Sequence, residues 1–145
     1  MENPIISGIA FSRDEAEVSV RGFPDIPGSA YQILGPIADA NIDVDMIIQN
    51  IGESGANDFT FTVNERDLQK SIAIINDKVK TKINAREVIG DSKIAKLSLV
   101  GVGMRSHAGI ASKMFKVLSD EKINIITISV SYTHLTLTTN CVVWG

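Results

Sequence analysis

The sequence predicts an α+β protein made of two tandem βαββαβ units, the second of them cut short. Three observations predict it: an internal repeat, one helical stripe in each copy, and strand patterns on either side of that stripe. Gly28-Ser-Ala-Tyr-Gln-Ile-Leu recurs as Gly109-Ile-Ala-Ser-Lys-Met-Phe, 81 residues later, and the register holds without gaps from Gly22 and Gly103 to Ile47 and Ile128. A repeat at fixed spacing fixes an architecture before any single element is assigned.

The elements follow in order. Ala16-Glu-Val-Ser-Val-Arg-Gly alternates apolar and polar residues with period two, as a half-buried strand does, and Ile94 to Gly103 is its more continuously apolar counterpart. Both end in glycine before a loop. Ala30, Ile33, Leu34 and Ile37 then form an i, i+3, i+4, i+7 stripe, matched by Ala111, Met114, Phe115 and Leu118 in the second copy, so each copy has one helix with a buried face. Val44 to Ile51 and Ile125 to Ser131 are rich in β-branched residues and read as strands. The first copy continues through the turn-forming Gly52-Glu-Ser-Gly-Ala-Asn into the strand Asp58-Phe-Thr-Phe-Thr-Val. A second helix carries Leu68, Ile72, Ile75 and Val79, and a short closing strand, Ala85 to Ile89, precedes a turn at Gly90-Asp-Ser. This is the ferredoxin-like split βαβ arrangement, with both helices on one face of an antiparallel sheet.

Two features sit apart from that scheme. Ile5 to Phe11 reads as an additional strand with Ser12-Arg-Asp-Glu as its turn; it either pairs with Ala16 to Gly22 as a hairpin or crosses to the second unit. Pro36 lies inside the first helix, where a proline removes a backbone hydrogen bond at roughly 3 kcal/mol, so a kink with Pro36 on the exposed side is expected. The domain boundaries read from the repeat are 1–92 for the first unit with its extra strand and 93–145 for the second.

Composition narrows the function. Of 145 residues 44% are apolar, enough for a packed core, and no apolar run approaches the ~20 residues of a membrane span. The opening Met1-Glu-Asn-Pro lacks the basic and apolar regions of a signal peptide, so the cytoplasm is the expected location. Net charge is −3, with 14 basic and 17 acidic residues scattered, which is not the footprint of a nucleic-acid binder. A single cysteine, Cys141, and two histidines, His107 and His134, provide neither an internal disulfide nor a metal-ligand cluster. They also do not assemble a nucleophile, base and orienting group, so no catalytic site is expected. Gly101-Val-Gly103 is followed by glycine only at Gly109 and matches no dinucleotide or phosphate loop; Arg21-Gly-Phe starts like an RNA-binding strand motif, but Pro24-Asp25 ends it at once.

Ligand chemistry points elsewhere. The loop before the first helix, Asp25-Ile-Pro-Gly-Ser, suits an amino-acid zwitterion. Helix N–H groups favour a carboxylate, Pro27 presets the first turn, Gly28 admits close approach to the backbone, and Asp25 offers an anion to an ammonium group. The same residues also cap and start helices that bind nothing. In the second copy Met104-Arg-Ser-His-Ala-Gly occupies that loop, with Ser106 in the place of Asp25 and His107 beside it. Gln49-Asn50 ends the strand after the first helix, where its amides serve either a ligand or a polar strand end.

Four segments together resemble a known family. They are Ile6-Ser-Gly-Ile-Ala; Asp25-Ile-Pro-Gly with Ile37-Ala-Asp-Ala-Asn-Ile; Asp45-Met-Ile-Ile-Gln-Asn-Ile; and Lys96-Leu-Ser-Leu-Val-Gly-Val-Gly-Met-Arg-Ser-His-Ala-Gly with Ile123-Asn-Ile. They are similar to the C-terminal regulatory region of aspartate kinases, also made as a separate β-subunit, which is built from paired ACT domains. The likeness runs to Ser129, with a family proline replaced by Ala108. It implies a regulatory chain that binds lysine, threonine or both at domain interfaces and inhibits the phosphorylation of aspartate in lysine, threonine and methionine biosynthesis. It further implies a partner catalytic domain or subunit that uses ATP and no cofactor in this chain; separately, unpaired sheet edges make a homodimer the expected oligomer. The positions matching the effector site are Asp25, Gly28, Ala30, Gln49 and Asn50 in the first unit, and Ser106, His107, Asn124 and Ile125 in the second. An ACT-type module of another amino-acid enzyme is the alternative, separated only by the kinase-specific segments.

After Ser129 the pattern departs. Ser131-Tyr-Thr-His-Leu-Thr-Leu resembles translated sequencing-adapter sequence, and the second unit is expected to lack its last helix and strand and to leave apolar sheet surface uncovered. Under natural divergence, Tyr132 to Leu137 would instead be a real strand.

Overall fold

The chain is described by a computed structural model over residues 5–51, 55–102, 108–123, 125–130 and 134–140, with side chains described over 12–51, 55–98 and 112–123. Two compact units emerge. One is Asp14–Ser92; the other takes the chain on either side, Met1–Arg13 and Lys93–Gly145. Two long strands, β1 (Ile5–Pro24) and β4 (Glu87–Val102), contribute residues to both.

In the middle unit, alternation in sequence becomes alternation of faces. Ala16, Val18 and Val20 of β1 point to the same side as Phe59, Phe61 and Val63 of β3 (Ala56–Asn64), because the antiparallel register sets Ala16 opposite Val63, Val18 opposite Phe61 and Val20 opposite Phe59. On the other flank of β3 lies β2 (Ile47–Ile51), and the strand order is β2-β3-β1-β4. Over the apolar face lie α1 (Ser29–Asp39), burying Ile33 and Ile37, and α2 (Leu68–Ile74), which continues into a π-helical turn, Ile75–Val79, and buries Leu68, Ile75 and Val79. Ala30, Leu34 and Ile72 pack against this core, so both stripes face inward as their spacing predicts. Each fully buried branched or aromatic side chain contributes about 1.5–3 kcal/mol. Before α2, the Asn64 side chain accepts a hydrogen bond from the Arg66 N–H at 3.1 Å and caps the short 3-10 turn Glu65–Asp67.

The flanking unit repeats this plan. β4 pairs antiparallel with β6 (His134–Asn140), and β6 pairs antiparallel with β5 (Ile125–Val130). Helix α3 (Ala108–Asp120) buries Leu118 and half-buries Met114 and Phe115. The repeat extends to how the helices end. Asn41 and Lys122 both adopt positive φ, 57° and 58°, and the next residues, Ile42 and Ile123, donate their N–H groups to Ile37 and Leu118 at 3.2 and 2.8 Å.

Several expectations change. Ser12-Arg-Asp-Glu is not a turn: β1 runs straight through it, and the chain up to Arg13 belongs with the flanking unit and not with 14–92. Because β1 lies beside β4, this segment supplies the flanking unit with the fourth strand that was expected to be missing, in the same order, β5-β6-β4-β1. Gly90-Asp-Ser is not a turn either. A Cβ on Gly90 would collide with the Ile72 side chain and come within 3.1 Å of Leu68, so this glycine lets α2 seat on the strand. The first strand does not stop at Gly22. It passes through a bulge there, with φ of 71°, and continues to Pro24. After Ser129 the chain includes β6, which overlaps the strand offered under natural divergence over Tyr132 to Leu137; Tyr132 and Thr133 lie outside the described residues. Pro36 is half-buried and not on the exposed side, α1 runs on to Asp39, and Ala40 donates to the Pro36 carbonyl at 3.2 Å. No helix among the described residues is long and apolar enough to cross a membrane.

Candidate functional site

The Asp25–Gly28 loop leaves β1 at Pro24 and enters α1 at Ser29. Three bonds fold it tightly: the Ile26 N–H donates to the Pro24 carbonyl at 2.9 Å, and the Ser29 N–H and hydroxyl both donate back to the Ile26 carbonyl, at 3.3 and 2.8 Å. Gly28 is the helix N-cap residue with φ of 92°, a left-handed conformation that disfavours every residue with a Cβ. No atom outside its chain neighbours lies within 4 Å of where that Cβ would be, so the backbone at the helix entrance is open to approach. Pro27 precedes the cap and does not form part of the first turn.

Asp25 does not cap α1, whose N-cap has no side-chain hydrogen bond. Its Oδ1 instead accepts a hydrogen bond of 3.0 Å from Asn57 Nδ2. Asn57 is the second residue of β3 and is 1% exposed. Its own Oδ1 is buried without a hydrogen-bond partner. The next residue, Asp58, accepts a 3.1 Å hydrogen bond from the Gly22 N–H, pinning the bulge that turns β1 toward the loop.

Gln49 and Asn50 are both exposed on β2, opposite Phe59 and Asp58 of β3, and Ile51 stands opposite Asn57. The start of β3 is therefore flanked by the Asp25 loop on one side and by the Gln49-Asn50-Ile51 edge on the other. Ala30, the second residue of α1, is half-buried. Ile26 and Ile51 are 57% and 71% exposed, leaving an apolar border to this polar group. Sequence reasoning placed Asn57 in a turn because Gly-Ala-Asn is turn-forming; the signal that distinguishes it is the alternating strand that begins immediately after it. In the second unit, Ser106, His107 and Asn124 lie outside the described residues, and Ile125 opens β5.

On the face of the middle sheet away from the helices, Ser19 and Thr60 hydroxyls bond at 2.9 Å. Beside them Glu17 is half-buried and its Oε2 has no partner. Burial, then the charge of Asp91, push the Glu17 carboxyl above its ordinary value, against smaller opposing effects of Arg21 and a hydrogen bond from Ser19.

Comparison with known proteins agrees with this architecture. ACT domain models match residues 17–79 and 97–142. The aspartate kinase of Pseudomonas fluorescens is 59% identical over 131 residues, 90% of this chain and 32% of the relative; the aspartokinase of Helicobacter pylori is 43% identical over 132 residues, again 90% and 32%. The chain thus spans about a third of the length of the curated relatives it matches, in their C-terminal part. A crystal structure of aspartokinase alpha and beta subunits superposes with a TM-score of 0.85 at 46% identity, covering 94% of this chain and 89% of that one. The ligand-free regulatory subunit of aspartate kinase from Thermus thermophilus superposes at 0.86 with 31% identity and the same coverage. A βαββαβ repeat, two ACT matches and near-complete overlap with solved regulatory subunits converge on one assignment: the chain belongs to the aspartate kinase family, as its ACT-domain regulatory region.

Proposed function

We propose that this regulatory chain senses lysine, threonine or both, and that binding controls the phosphorylation of aspartate by a catalytic kinase domain or subunit in the cytoplasm. One observation carries the reading. The loop before α1 leaves its helix entrance open at a left-handed Gly28 while its carboxylate, Asp25, is held away from the capping role that would explain it without a ligand. An α-carboxylate meets the N–H groups of the helix start, and an ammonium group meets Asp25. Ala30 lies in the first turn of the same helix, and Gln49 and Asn50 supply amides from the β2 edge. In the second unit the residues matching the family's effector site are Ser106, His107, Asn124 and Ile125. ATP is used by the catalytic partner.

Regulation is then linkage: an effector that prefers one arrangement of the enzyme shifts the equilibrium by its differential affinity, about 1–3 kcal/mol in couplings of this kind. The exposed edge of β2, with Ile47 and Ile51 at 51% and 71% exposure, suits pairing with a second copy as a homodimer. Calorimetric titration with L-lysine and L-threonine, singly and together, with L-alanine as control, tests the reading. Saturable binding that is lost in Asp25→Ala supports it; a folded chain that binds neither amino acid overturns it.

A further inference from the structure

We infer that Asn57 is a positioning residue of the effector site, holding the Asp25 carboxylate in the orientation that receives a ligand's ammonium group. This rests on the sensor reading and adds to it a residue that neither the loop motif nor the β2 amides contain. A buried amide carries two donors and a two-lone-pair acceptor, and leaving the acceptor unpaired is unfavourable. Asn57 is 1% exposed and its Oδ1 has no partner, so packing alone would be better served by an apolar side chain of similar volume. What an apolar side chain lacks is the donor, and that donor is spent on Asp25 at 3.0 Å.

The placement gives the bond its use. Asp25 is exposed on a loop, where a carboxylate otherwise samples several rotamers, and Asn57 is fixed in β3 by pairing on both sides, with Phe23 across one flank and Ile51 across the other. The hydrogen bond transfers the rigidity of the sheet to the loop carboxylate and leaves the second oxygen, Oδ2, to take the ligand. Preorganised charge of this kind raises affinity by removing the ordering that binding would otherwise require.

The test is Asn57→Asp and Asn57→Leu, titrated calorimetrically with L-lysine and L-threonine between pH 4.5 and 8 alongside the unaltered chain and Asp25→Ala. Asn57→Asp keeps the shape and exchanges the donor for a second carboxylate, so at neutral pH affinity should fall about tenfold or more. It should recover on acidification, as the introduced carboxyl takes up a proton and donates again, a pH profile that the unaltered chain does not share. Asn57→Leu should lose affinity equally at every pH. Circular dichroism checks that each variant folds. Should either fail, the Asn57 side-chain amide in nitrogen-15 spectra of the unaltered chain supplies the second measurement, and its proton shifts should move on ligand addition. Unchanged affinity in both variants, or an amide signal indifferent to ligand, overturns the role of Asn57 while leaving the sensor reading intact. Failure of the unaltered chain to bind either amino acid overturns both.

Discussion

The two copies of the repeat bury the same stripe to different depths. In the middle unit Ile33 and Ile37 of α1 are fully buried; at the corresponding positions of α3, Met114 is half-buried and Leu118 is 8% exposed. The helix sequences are equally amphipathic in pattern, so the difference arises in packing. Helix α1 lies against α2 and its π-helical extension, whereas among the described residues the flanking unit has α3 alone. A stripe fixes which face a helix turns inward; a neighbouring helix decides how completely that face leaves water.

Core truncation should separate the units most strongly. Phe61→Ala removes a fully buried ring from the middle core and should cost about 3–5 kcal/mol, while Leu118→Ala should fall near the low end of the leucine range, about 2 kcal/mol. Hydrogen exchange resolved by residue, together with urea denaturation, would assign each loss to its unit; equal losses would break the comparison. Next comes the seat of α2. Gly90→Val places a side chain where Ile72 and Leu68 already lie and should destabilise the middle unit by roughly 1–3 kcal/mol, without changing protection of β5 and β6.

A smaller effect is expected at the entrance to α2, where Asn64→Ala removes the cap on Arg66 and should cost about 1 kcal/mol in thermal denaturation. The smallest depends on pH. The Glu17 carboxyl is raised above its ordinary value of 4.5, so the native chain holds this proton more tightly than the unfolded chain does. The stability it contributes is present below pH 4.5 and is lost as pH rises through the native value. Glu17→Gln should therefore raise the Tm at pH 7 and make little difference at pH 4.

Much of this was legible in sequence because it depends on local periodicity. The spacing of Ile33, Leu34 and Ile37, and of Leu68, Ile75 and Val79, identifies helices and their inward faces without knowledge of any partner. The polar segments Ser12–Glu15 and Gly90–Ser92 were misread for the opposite reason. Both look like turns locally, yet each lies within a long strand whose pairing partners are distant in sequence, and strand formation depends on that context more than on intrinsic preference. At the site, the loop motif announced Asp25 and Gly28. Asn57 stayed hidden because its role consists of a single hydrogen bond to a residue 32 positions away.

The division of β1 between two units bears on the order of events during synthesis. The residues up to Arg13 leave the ribosome ahead of the middle unit, but the rest of the unit they belong to begins only at Lys93. At roughly 5–20 residues per second that interval, in which the middle unit Asp14–Ser92 is itself synthesised, lasts on the order of 4–16 s. The part of β1 up to Arg13 must wait through that time without the strands of its own unit, and an unpaired strand is where a nascent chain invites pairing with its neighbours. Slowed translation ahead of Lys93 should therefore lengthen its exposure and raise demand for chaperones.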